Sequence, residues 1–381
     1  MKSKHSTVSF LYAASESSAD MFYLSGVFVP DPFLAIIVDD KKYAVVNQLE
    51  YGRVRKKSNF DRVILLETIR LKVSENLKIP VSNVGPGEIM IYFARHFAAK
   101  SIKIPADFPA AFYTKIYDAG FSMEIIEGAF FRERSKKTDS EVAAIRRGNA
   151  ASASGIRAAE AILKASTIEG NRIMYAGKPL TSERLRAYID KTCLSKGAVA
   201  NHTIVAGGRQ ACDPHEIGHG LLRPGELIII DVFPRVQKTG YHGDLSRTFI
   251  KGKANALQRK LVLTVQRAQR AAIEEVQEGV QGDVVHSVAQ KVFDDAGFVT
   301  ENRTTGSVGF IHSTGHGLGL EVHEAPRVSK GAPELIANQV ITIEPGLYYP
   351  EIGACRIEDV VQVTKNGCER LSSLHYKWEI S

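Results

Sequence analysis

The sequence predicts an α+β fold divided into two domains. The chain has 381 residues, which exceeds one average domain. Hydrophobic residues make up 44% and charged residues 24%, the balance of a globular protein with a sizeable core. In the second part of the chain, helix-like and strand-like segments are grouped more than alternated. We place the boundary at about residue 135, which gives domains 1–135 and 136–381.

The first domain is expected to be a small α/β domain. Runs rich in β-branched and aromatic residues predict strands at 8–13, 33–38, 43–46 and 63–66. The spacing of apolar residues predicts helices at 69–77 and 91–99. This part of the sequence has no cluster of His, Cys and carboxylate residues, so we expect the chemistry in the second domain.

The second domain is predicted to begin after a charged stretch at 132–137, which we interpret as a linker. Asp139 or Ser140, followed by Glu141 and an Ala-rich amphipathic run, marks a helix start. The periodicity predicts helices at 139–165, 182–195, 254–278 and 282–296. Apolar runs predict strands at 226–233, 245–250, 339–344 and 356–363.

Charge and cysteine content narrow the class of protein. The net charge of +7 is spread over both domains, whereas a nucleic-acid-binding protein needs a clustered basic face. The four cysteines are far apart and form no Cys-x-x-Cys pair, which is typical of a reducing compartment. No apolar stretch approaches the length that spans a membrane. We therefore expect a cytoplasmic protein without nucleic-acid or membrane partners.

The segment LIIIDVFPRVQKTGYHGDLSRTFI contains two spaced acids. An apolar strand ends at Asp231, a turn with Pro234 and Gly240 follows, and a second strand carries Asp244. Acids on the two arms of a hairpin can face the same side of a sheet. Solvated turn acids are the alternative, but Asp231 ends a strongly apolar run, where an unpaired charge is costly.

A second segment, ITIEPGLYYPEIGACRIEDVVQV, repeats the same arrangement. An apolar strand ends at Glu344, Pro345 and Gly346 form a turn, and a return strand carries Glu358. The repetition suggests an internal duplication that directs four carboxylates into one site. Four buried carboxylates need about four positive charges, which two divalent cations would supply.

The segment HSTGHGLGLEVHE offers an imidazole ligand. Glycines on both sides of His316 let the backbone come close to an ion or a substrate, on a strand or loop rather than a helix. His312 and His323 lie nearby in the sequence. Oxygen-rich ligation favours Mn²⁺, and one imidazole also admits Co²⁺, Zn²⁺ or Fe²⁺.

These segments resemble the pita-bread metallopeptidases, the family of methionine aminopeptidase, aminopeptidase P, prolidase and creatinase. The resemblance covers roughly residues 135–375. The matching motifs are PH at 214–215, IIID at 228–231, YHGDLSRT at 241–248, GHGLGLEVHE at 315–324, IEPG at 343–346 and RIEDVV at 356–361. It implies a C-terminal pita-bread catalytic domain preceded by a smaller creatinase-like α/β domain.

The resemblance also implies roles for individual residues. Asp231 would bind one ion, His316 and Glu344 the other, and two acids, Asp244 and Glu358, would bridge the pair around a water or hydroxide. Glu344 would also take the proton of that water. His215 and His323 would contact both the substrate and the transition state. Three further residues would contact the substrate, namely His312, Arg356 and Tyr241.

Several of these assignments have open alternatives. Arg356 would orient a bridging carboxylate, hold a substrate carboxylate, or form a salt bridge to a nearby acid. Tyr241 would be a hydrogen-bond donor behind the site or a packed aromatic residue. His219 and His242 remain outside the predicted site, although His242 would share a strand face with Asp244 if the strand extends that far.

The chain has an N-terminal domain and carries a suitable residue at each of the five metal-ligand positions of the family. By the same resemblance, this implies an exopeptidase that cleaves Xaa-Pro bonds in short proline-containing peptides, and a homodimer. We favour prolidase, the Xaa-Pro dipeptidase, over aminopeptidase P because the chain is short. A catalytically silent binding protein and a hydrolase of non-peptide bonds are the other hypotheses. Phe233 stands where the family usually has a glycine, and Ser246 stands where it usually has a threonine. Neither residue is a metal ligand, so we expect these changes to affect substrate preference rather than metal binding.

Overall fold

The computed structural model describes residues 7–304 and 306–381. The chain forms two compact units, one ending at Arg134 and the other covering Ser135–Ser381. Among the described residues, no helix has both the length and the apolar character needed to cross a membrane.

The first unit contains one mixed sheet. Its strands are β1 (Val8–Ala13), β2 (Phe33–Val38), β3 (Lys41–Val46), β4 (Arg62–Leu65), β5 (Ser101–Pro105) and β6 (Ser122–Ile126). Its helices are α1 (Ala19–Ser25), α2 (Gln48–Lys57), α3 (Leu66–Leu77), α4 (Pro86–His96) and α5 (Ala110–Asp118). The strand order is β4-β3-β2-β1-β5-β6, with β1, β2 and β3 antiparallel and the outer pairs parallel.

Helices cover both faces of this sheet. In β1, Phe10 packs with residues of α3, α4 and α5, whereas its neighbour Leu11 packs with residues of α1 and α2. Successive strand residues point to opposite faces, so each face buries its own apolar set. The expected α/β character is confirmed. Helix α4 begins five residues before the predicted start, where the Gly85 N–H donates to the Glu88 carboxylate.

The charged stretch 132–137, predicted as a linker, is ordered and partly buried. Arg134 is 3% exposed and forms an ion pair with Asp20 at 2.8 Å. Lys137 is 4% exposed and forms an ion pair with Glu324 at 2.8 Å. The division between the two units falls inside this stretch, between Arg134 and Ser135. Two of its cations have buried carboxylate partners elsewhere in their own units, which local charge density does not reveal.

The second unit contains four α-helices among its described residues, which are α6 (Asp139–Ala165), α7 (Ser182–Ser195), α8 (Ala256–Glu274) and α9 (Gly282–Asp295). Its strands up to the first acid hairpin are β7 (Thr167–Glu169), β8 (Arg172–Tyr175), β9 (Lys178–Pro179), β10 (Ala198–Val199), β11 (Ile204–Gly207), β12 (Leu227–Asp231), β13 (Arg235–Val236) and β14 (Ser246–Lys251). The remaining strands are β15 (Glu301–Arg303), β16 (Gly306–Val308), β17 (Gly315–Gly317), β18 (Glu324–Val328), β19 (Val340–Ile343), β20 (Gly346–Tyr349), β21 (Gly353–Arg356), β22 (Asp359–Thr364), β23 (Gly367–Arg370) and β24 (Glu379–Ile380).

Two helix-covered sheets form the framework of this unit. The first has the order β11-β12-β14-β24, and its apolar side chains pack with those of α6 and α7. The second has the order β18-β17-β19-β22-β23, and its apolar side chains pack with those of α8 and α9. Each sheet therefore carries one acid hairpin and buries its other face under a helix pair, which agrees with the α+β prediction and with an internal duplication.

The two return strands differ from the prediction. Strand β14 begins at Ser246, so Asp244 precedes the strand that was expected to carry it. The predicted strand 356–363 is broken, and Glu358 lies between β21 and β22. The break occurs because Arg356 pairs with Gly346 of β20, whereas Asp359 pairs with Ile343 of β19. The chain leaves one sheet and joins another at this point.

Candidate metal centre

The two acid hairpins are joined directly at their acidic ends. In the first, Asp231 pairs with Ser246 across β12 and β14. In the second, the pairing of Ile343 with Asp359 brings Glu344 opposite Glu358. The Glu358 N–H donates to the Ser246 carbonyl at 3.1 Å, and the Ser246 hydroxyl donates to the Glu358 carboxylate at 3.1 Å. These two bonds connect the hairpins and bring the acids to a common region.

Asp244, His316 and Glu358 form a compact buried group. One ligand atom from each lies within 4.8 Å of the others. Two carboxylates and an imidazole at such separations match the donor set of a divalent transition-metal ion. Neither acid lies in a regular strand, and His316 lies on the short strand β17.

His316 is oriented with one ring nitrogen towards the acids. Its Nδ1 lies 3.2 Å from the Gly317 carbonyl, and its Nε2 lies 3.2 Å from Glu344 Oε1 and 3.9 Å from Asp244 Oδ2. A proton on Nδ1 would donate to the carbonyl and leave Nε2 available to an ion. Burial lowers the pKa of His316, but Glu344 and then Asp244 outweigh it and raise the pKa to about 9.

The glycines around His316 allow strands to approach each other. A Cβ on Gly315 would lie 1.9 Å from the Thr342 carbonyl, and one on Gly317 would lie 2.3 Å from the Ala325 carbonyl. A Cβ on Gly319 would meet the Glu324 carboxylate at 2.5 Å. The expectation that these glycines make room for an ion or a substrate was therefore wrong, because neighbouring protein atoms occupy that space.

The charges of the four acids are balanced unequally. Burial raises the pKa of Glu344, but the hydrogen bond and charge of His316 outweigh it and lower the pKa to about 2. Burial and then the charge of Asp231 raise the pKa of Asp244 well above its usual range. Burial and then the charge of Asp244 do the same for Glu358. Burial and the neighbouring acids therefore favour the protonated forms of Asp244 and Glu358, and a further cation would favour the ionised forms.

Asp231 combines an ion pair with an unused oxygen. Its Oδ2 accepts from Arg356 Nη2 at 2.6 Å. Its Oδ1 is buried and has no hydrogen-bond partner among the described residues. A buried carboxylate oxygen without a donor is costly, and a bound cation would remove that cost. Asp231 therefore fits the role of a metal ligand.

Arg356 is 3% exposed and is engaged by several protein groups. Besides Asp231, it donates to the Tyr348 hydroxyl at 2.9 Å, the Ser246 hydroxyl at 3.2 Å and the Pro214 carbonyl at 3.3 Å. Of the alternatives considered for Arg356, the structure contains the salt bridge to a nearby acid. Because it also binds the segment next to His215, Arg356 connects the acids to that segment.

His312 is anchored inside the protein through both ring nitrogens. Its Nδ1 lies 2.7 Å from the Ser313 carbonyl, and its Nε2 lies 2.8 Å from the Tyr348 hydroxyl. Burial lowers the pKa of His312, which keeps the imidazole neutral near pH 7. With a proton on Nδ1, Nε2 accepts from Tyr348, whose oxygen accepts from Arg356. Tyr348 thus connects His312 to the Asp231–Arg356 pair.

His323 and His215 lie at the edge of the acid group. The His323 ring is 4.4 Å from the His316 ring, in an edge-to-face arrangement. Burial and then the charge of His316 lower the pKa of His323. His215 is exposed, and its N–H donates to Asp213 at 3.1 Å. Its charge contributes to the lowered pKa values of His312 and His323, so the three histidines are neighbours.

The other predicted residues occupy separate positions. The Tyr241 hydroxyl donates to Glu141, and its ring packs beside a small apolar cluster of the second unit. His242 has its Nδ1 3.3 Å from the Phe233 carbonyl, and burial lowers its pKa. His219 is exposed beside Glu216 on the surface. The suggested shared strand face of His242 and Asp244 does not arise, since neither residue is in a regular strand.

Phe233 lies two residues beyond the end of β12 and is half-buried. Val232, the residue before it, is fully buried in the core beneath α6 and α7. The placement of Phe233 on the face of Asp231 stays a prediction, because it extends strand alternation beyond the strand.

Sequence analysis did not identify Gly148 and Asn149 as part of the site. The Asn149 side chain accepts from the Asp244 N–H at 2.9 Å and donates to the Leu371 carbonyl at 3.2 Å. A Cβ on Gly148 would lie 2.4 Å from the Gly243 nitrogen, so helix α6 touches the backbone just before Asp244. The available signal was a Gly-Asn pair inside an Ala-rich helix, where neither residue is favoured.

Comparison with known proteins gives a consistent result. Residues 143–365, more than half of the chain, match metallopeptidase family M24. The Xaa-Pro dipeptidase of Pyrococcus furiosus is 34% identical over 221 residues, which cover 56% of this chain and 61% of that protein. That relative is thus matched over less than two thirds of its own length.

Two solved structures resemble the whole chain. The prolidase from Pyrococcus horikoshii OT3 superposes with a TM-score of 0.78 and 25% identity, covering 98% of this chain and 95% of that one. The X-Pro aminopeptidase from Thermotoga maritima MSB8 has a TM-score of 0.79 and 21% identity, covering 99% and 98%. The second likeness concerns the fold alone.

Proposed function

Because the chain belongs to metallopeptidase family M24, we propose that it is a two-metal exopeptidase that cleaves the Xaa-Pro bond of dipeptides. One observation carries the proposal. Four carboxylates converge, two of them with strongly raised pKa values, and the buried Asp231 Oδ1 has no donor among the described residues. This is the charge deficit that two divalent cations would correct.

We assign the ligands as follows. Asp231 would hold one ion, His316 and Glu344 would hold the other, and Asp244 and Glu358 would contribute to both. Mn²⁺ is the first choice for this oxygen-rich set, and Co²⁺, Zn²⁺ or Fe²⁺ are alternatives. When bound, such ions lower the pKa of a water molecule and polarise the scissile carbonyl.

The side chains around the ions bind the substrate and move protons. Glu344, whose pKa is lowered to about 2, is ionised and able to accept the proton of the attacking water. His323, with a lowered pKa, is a neutral imidazole that can hydrogen-bond to the substrate, and the exposed His215 lies beside it. These two residues are proposed to contact both the substrate and the transition state.

Three further residues are proposed for the substrate pocket. His312 and Arg356 form its wall, and their connection through Tyr348 keeps both side chains fixed. Tyr241 is the third residue proposed to bind the substrate, and its hydroxyl donates to Glu141. Fixed polar groups of this kind discriminate between substrates because they lose little entropy on binding.

We favour the dipeptidase over the aminopeptidase. The relative named Xaa-Pro dipeptidase shares 34% identity, and the structure named prolidase covers nearly the whole chain. Aminopeptidase P remains the second candidate, because the X-Pro aminopeptidase fold superposes equally well.

We further propose a creatinase-like domain at 1–135, a catalytic domain at 136–381, a homodimer and a cytoplasmic location. The four free cysteines support the last point.

The deciding experiment compares hydrolysis of Ala-Pro and Ala-Pro-Ala by metal-free protein titrated with Mn²⁺, Co²⁺ or Zn²⁺. Metal-dependent cleavage of Ala-Pro alone is the expected result. Cleavage of Ala-Pro-Ala would instead indicate an aminopeptidase. Ala-Ala, which lacks proline, is the control substrate. A protein that binds two equivalents of metal and cleaves none of these peptides would be a silent binding protein or a hydrolase of other bonds.

A further inference from the structure

A buried ion pair lies next to the loop that carries His323. Lys137 Nζ is 2.8 Å from Glu324 Oε2, and the two side chains are 1% and 6% exposed. The Lys137 N–H also donates to the Asn338 carbonyl at 2.7 Å. The lysine is therefore fixed through its main chain and its side chain. It lies outside the acid group and is far from the loop in sequence.

The Glu324 carboxylate closes the loop from inside. Its Oε1 accepts from the Glu321 N–H at 3.1 Å, and its Oε2 lies 2.5 Å from the position that a Cβ on Gly319 would take. The loop is also held at its start, where the Gly319 carbonyl accepts from the His242 N–H at 2.8 Å. Just before the loop, the pairing of β17 with β18 shifts, from His316 opposite Arg327 to Gly317 opposite Glu324. The carboxylate thus contacts the loop where regular strand pairing has ended.

His323 directly precedes Glu324, and its ring lies 4.4 Å from that of His316. A displacement of Glu324 would therefore move the imidazole at the edge of the acid group. We propose that Lys137 is a positioning residue, whose ammonium fixes the Glu324 carboxylate and thereby the orientation of His323. This inference rests on the proposed function only in so far as His323 contacts the substrate.

The physical reason is the cost of a buried charge. Without Lys137, the Glu324 carboxylate loses its ammonium partner in a poorly solvated place, and it relaxes by turning towards water or by taking up a proton. Either change loosens the loop at the residue next to His323. A misplacement of about 1 Å of a group that contacts the transition state lowers the rate by about a hundredfold. The metal ligands are not part of this loop, so metal affinity should remain.

The test replaces Lys137 by Met and compares it with Lys136→Met, a matched change at the exposed neighbouring lysine. We expect Lys137→Met to lower kcat for Ala-Pro by about ten- to a hundredfold, with KM and Mn²⁺ affinity changed less than about threefold. Lys136→Met should equal the wild type. Lys137→Arg, which keeps the charge, should recover most of the rate. Equal kcat values for Lys137→Met and Lys136→Met would overturn the proposal.

A second measurement does not depend on activity or on metal. The Hε1 resonance of His323 in metal-free protein, assigned with His323→Gln, should shift or broaden in Lys137→Met and stay unchanged in Lys136→Met. An unchanged resonance would overturn the positioning role even if the rate fell. If Lys137→Met does not fold, Glu324→Gln tests the same contact with both measurements. A wild-type protein that cleaves no peptide would refute the proposed function, whereas the resonance would still decide this inference.

Discussion

The two acid hairpins of the second unit share a plan but differ in their counter-charges. In the first, Asp231 lies 2.6 Å from the guanidinium of Arg356, a group that stays charged at every relevant pH. In the second, Glu344 lies 3.2 Å from the imidazole of His316, which can lose its proton. The first acid of each hairpin thus has a cationic partner that comes from outside that hairpin.

Among the described residues, the second acids of the two hairpins have no cationic partner at such a short distance. Burial is the main cause of the raised pKa of both Asp244 and Glu358, followed by the charge of Asp231 for Asp244 and by the charge of Asp244 for Glu358. Among the described residues, the cationic group nearest to Asp244 is the His316 ring at 3.9 Å. Two neutral side chains hold them in place: the Ser246 hydroxyl donates to the Glu358 carboxylate, and the Asn149 side chain accepts from the Asp244 backbone N–H. The comparison indicates that the first acids are partly balanced by the protein, whereas the second acids depend on bound cations.

The largest expected effect follows from the second acids. Asp244→Asn or Glu358→Gln should lower kcat/KM for Xaa-Pro peptides by at least about a thousandfold, because each removes a ligand shared by both ions. The same variants should melt at a higher temperature than the wild type when metal is absent, since like charges are relieved. The matched control is Asp190→Asn, a half-buried acid bonded to Thr203, which should keep its activity. Full activity in either ligand variant would contradict the two-metal assignment.

A smaller effect is expected from the neutral groups that hold the second acids. Asn149→Ala and Ser246→Ala should each weaken metal binding or activity by about ten- to a hundredfold, the usual range for groups behind metal ligands. Calorimetric Mn²⁺ titration and kcat/KM for Ala-Pro measure the two effects. Ser154→Ala, at a half-buried position of the same helix as Asn149 where the hydroxyl donates only to the Ala150 carbonyl among the described bonds, should match the wild type. If only one of the two variants is impaired, the neutral groups bonded to Asp244 and to Glu358 do not contribute equally to metal binding.

His316, the titratable partner of Glu344, predicts that the free energy of unfolding of the metal-free protein depends on pH. The pKa of His316 is raised to about 9 from an ordinary value of 6.5, so its stabilising contribution is complete below pH 6.5 and is lost as the pH rises through 9. The raised pKa values of Asp244 and Glu358 act in the same direction. We expect the free energy of unfolding to fall by about 1–3 kcal/mol between pH 6.5 and 9.

Urea denaturation of metal-free protein at the two pH values measures this change. Protein saturated with Mn²⁺ is the control and should lose less stability, because ions favour the deprotonated ligands. A metal-free protein that becomes more stable towards pH 9 would show that the His316–Glu344 pair is not charged in the way described.

The smallest expected effect concerns Phe233 beside the first hairpin. Phe233→Gly should change the ratio of kcat/KM for Phe-Pro over Ala-Pro by about tenfold, because it removes a ring that continued strand alternation would place on the face of Asp231. Mn²⁺ affinity should stay the same, since no ligand is altered. Phe233→Leu should give an intermediate ratio. An unchanged ratio in both variants would remove Phe233 from the substrate pocket.

Much of the framework was predictable because its signals are local. The apolar runs before Asp231 and Glu344 identified β12 and β19, and helix α6 has the bounds that its periodicity predicted. Repetition of the acid hairpin indicated a duplicated unit, and the structure has two sheets that are each covered by a helix pair. These features depend on hydrophobic pattern and turn residues, which are properties of neighbouring positions.

The sequence by itself determined which acids and which imidazole are available, and in which order the strands carry them. Tertiary structure decided how these groups are balanced. In the folded chain the strand is interrupted between Arg356 and Asp359. Arg356 pairs with Asp231, Asn149 accepts a hydrogen bond from the Asp244 backbone, and Lys137 pairs with Glu324. These pairings join residues far apart in the chain, and their strength comes from shared burial. A charge acquires its partner and its pKa only when folding removes the water around it.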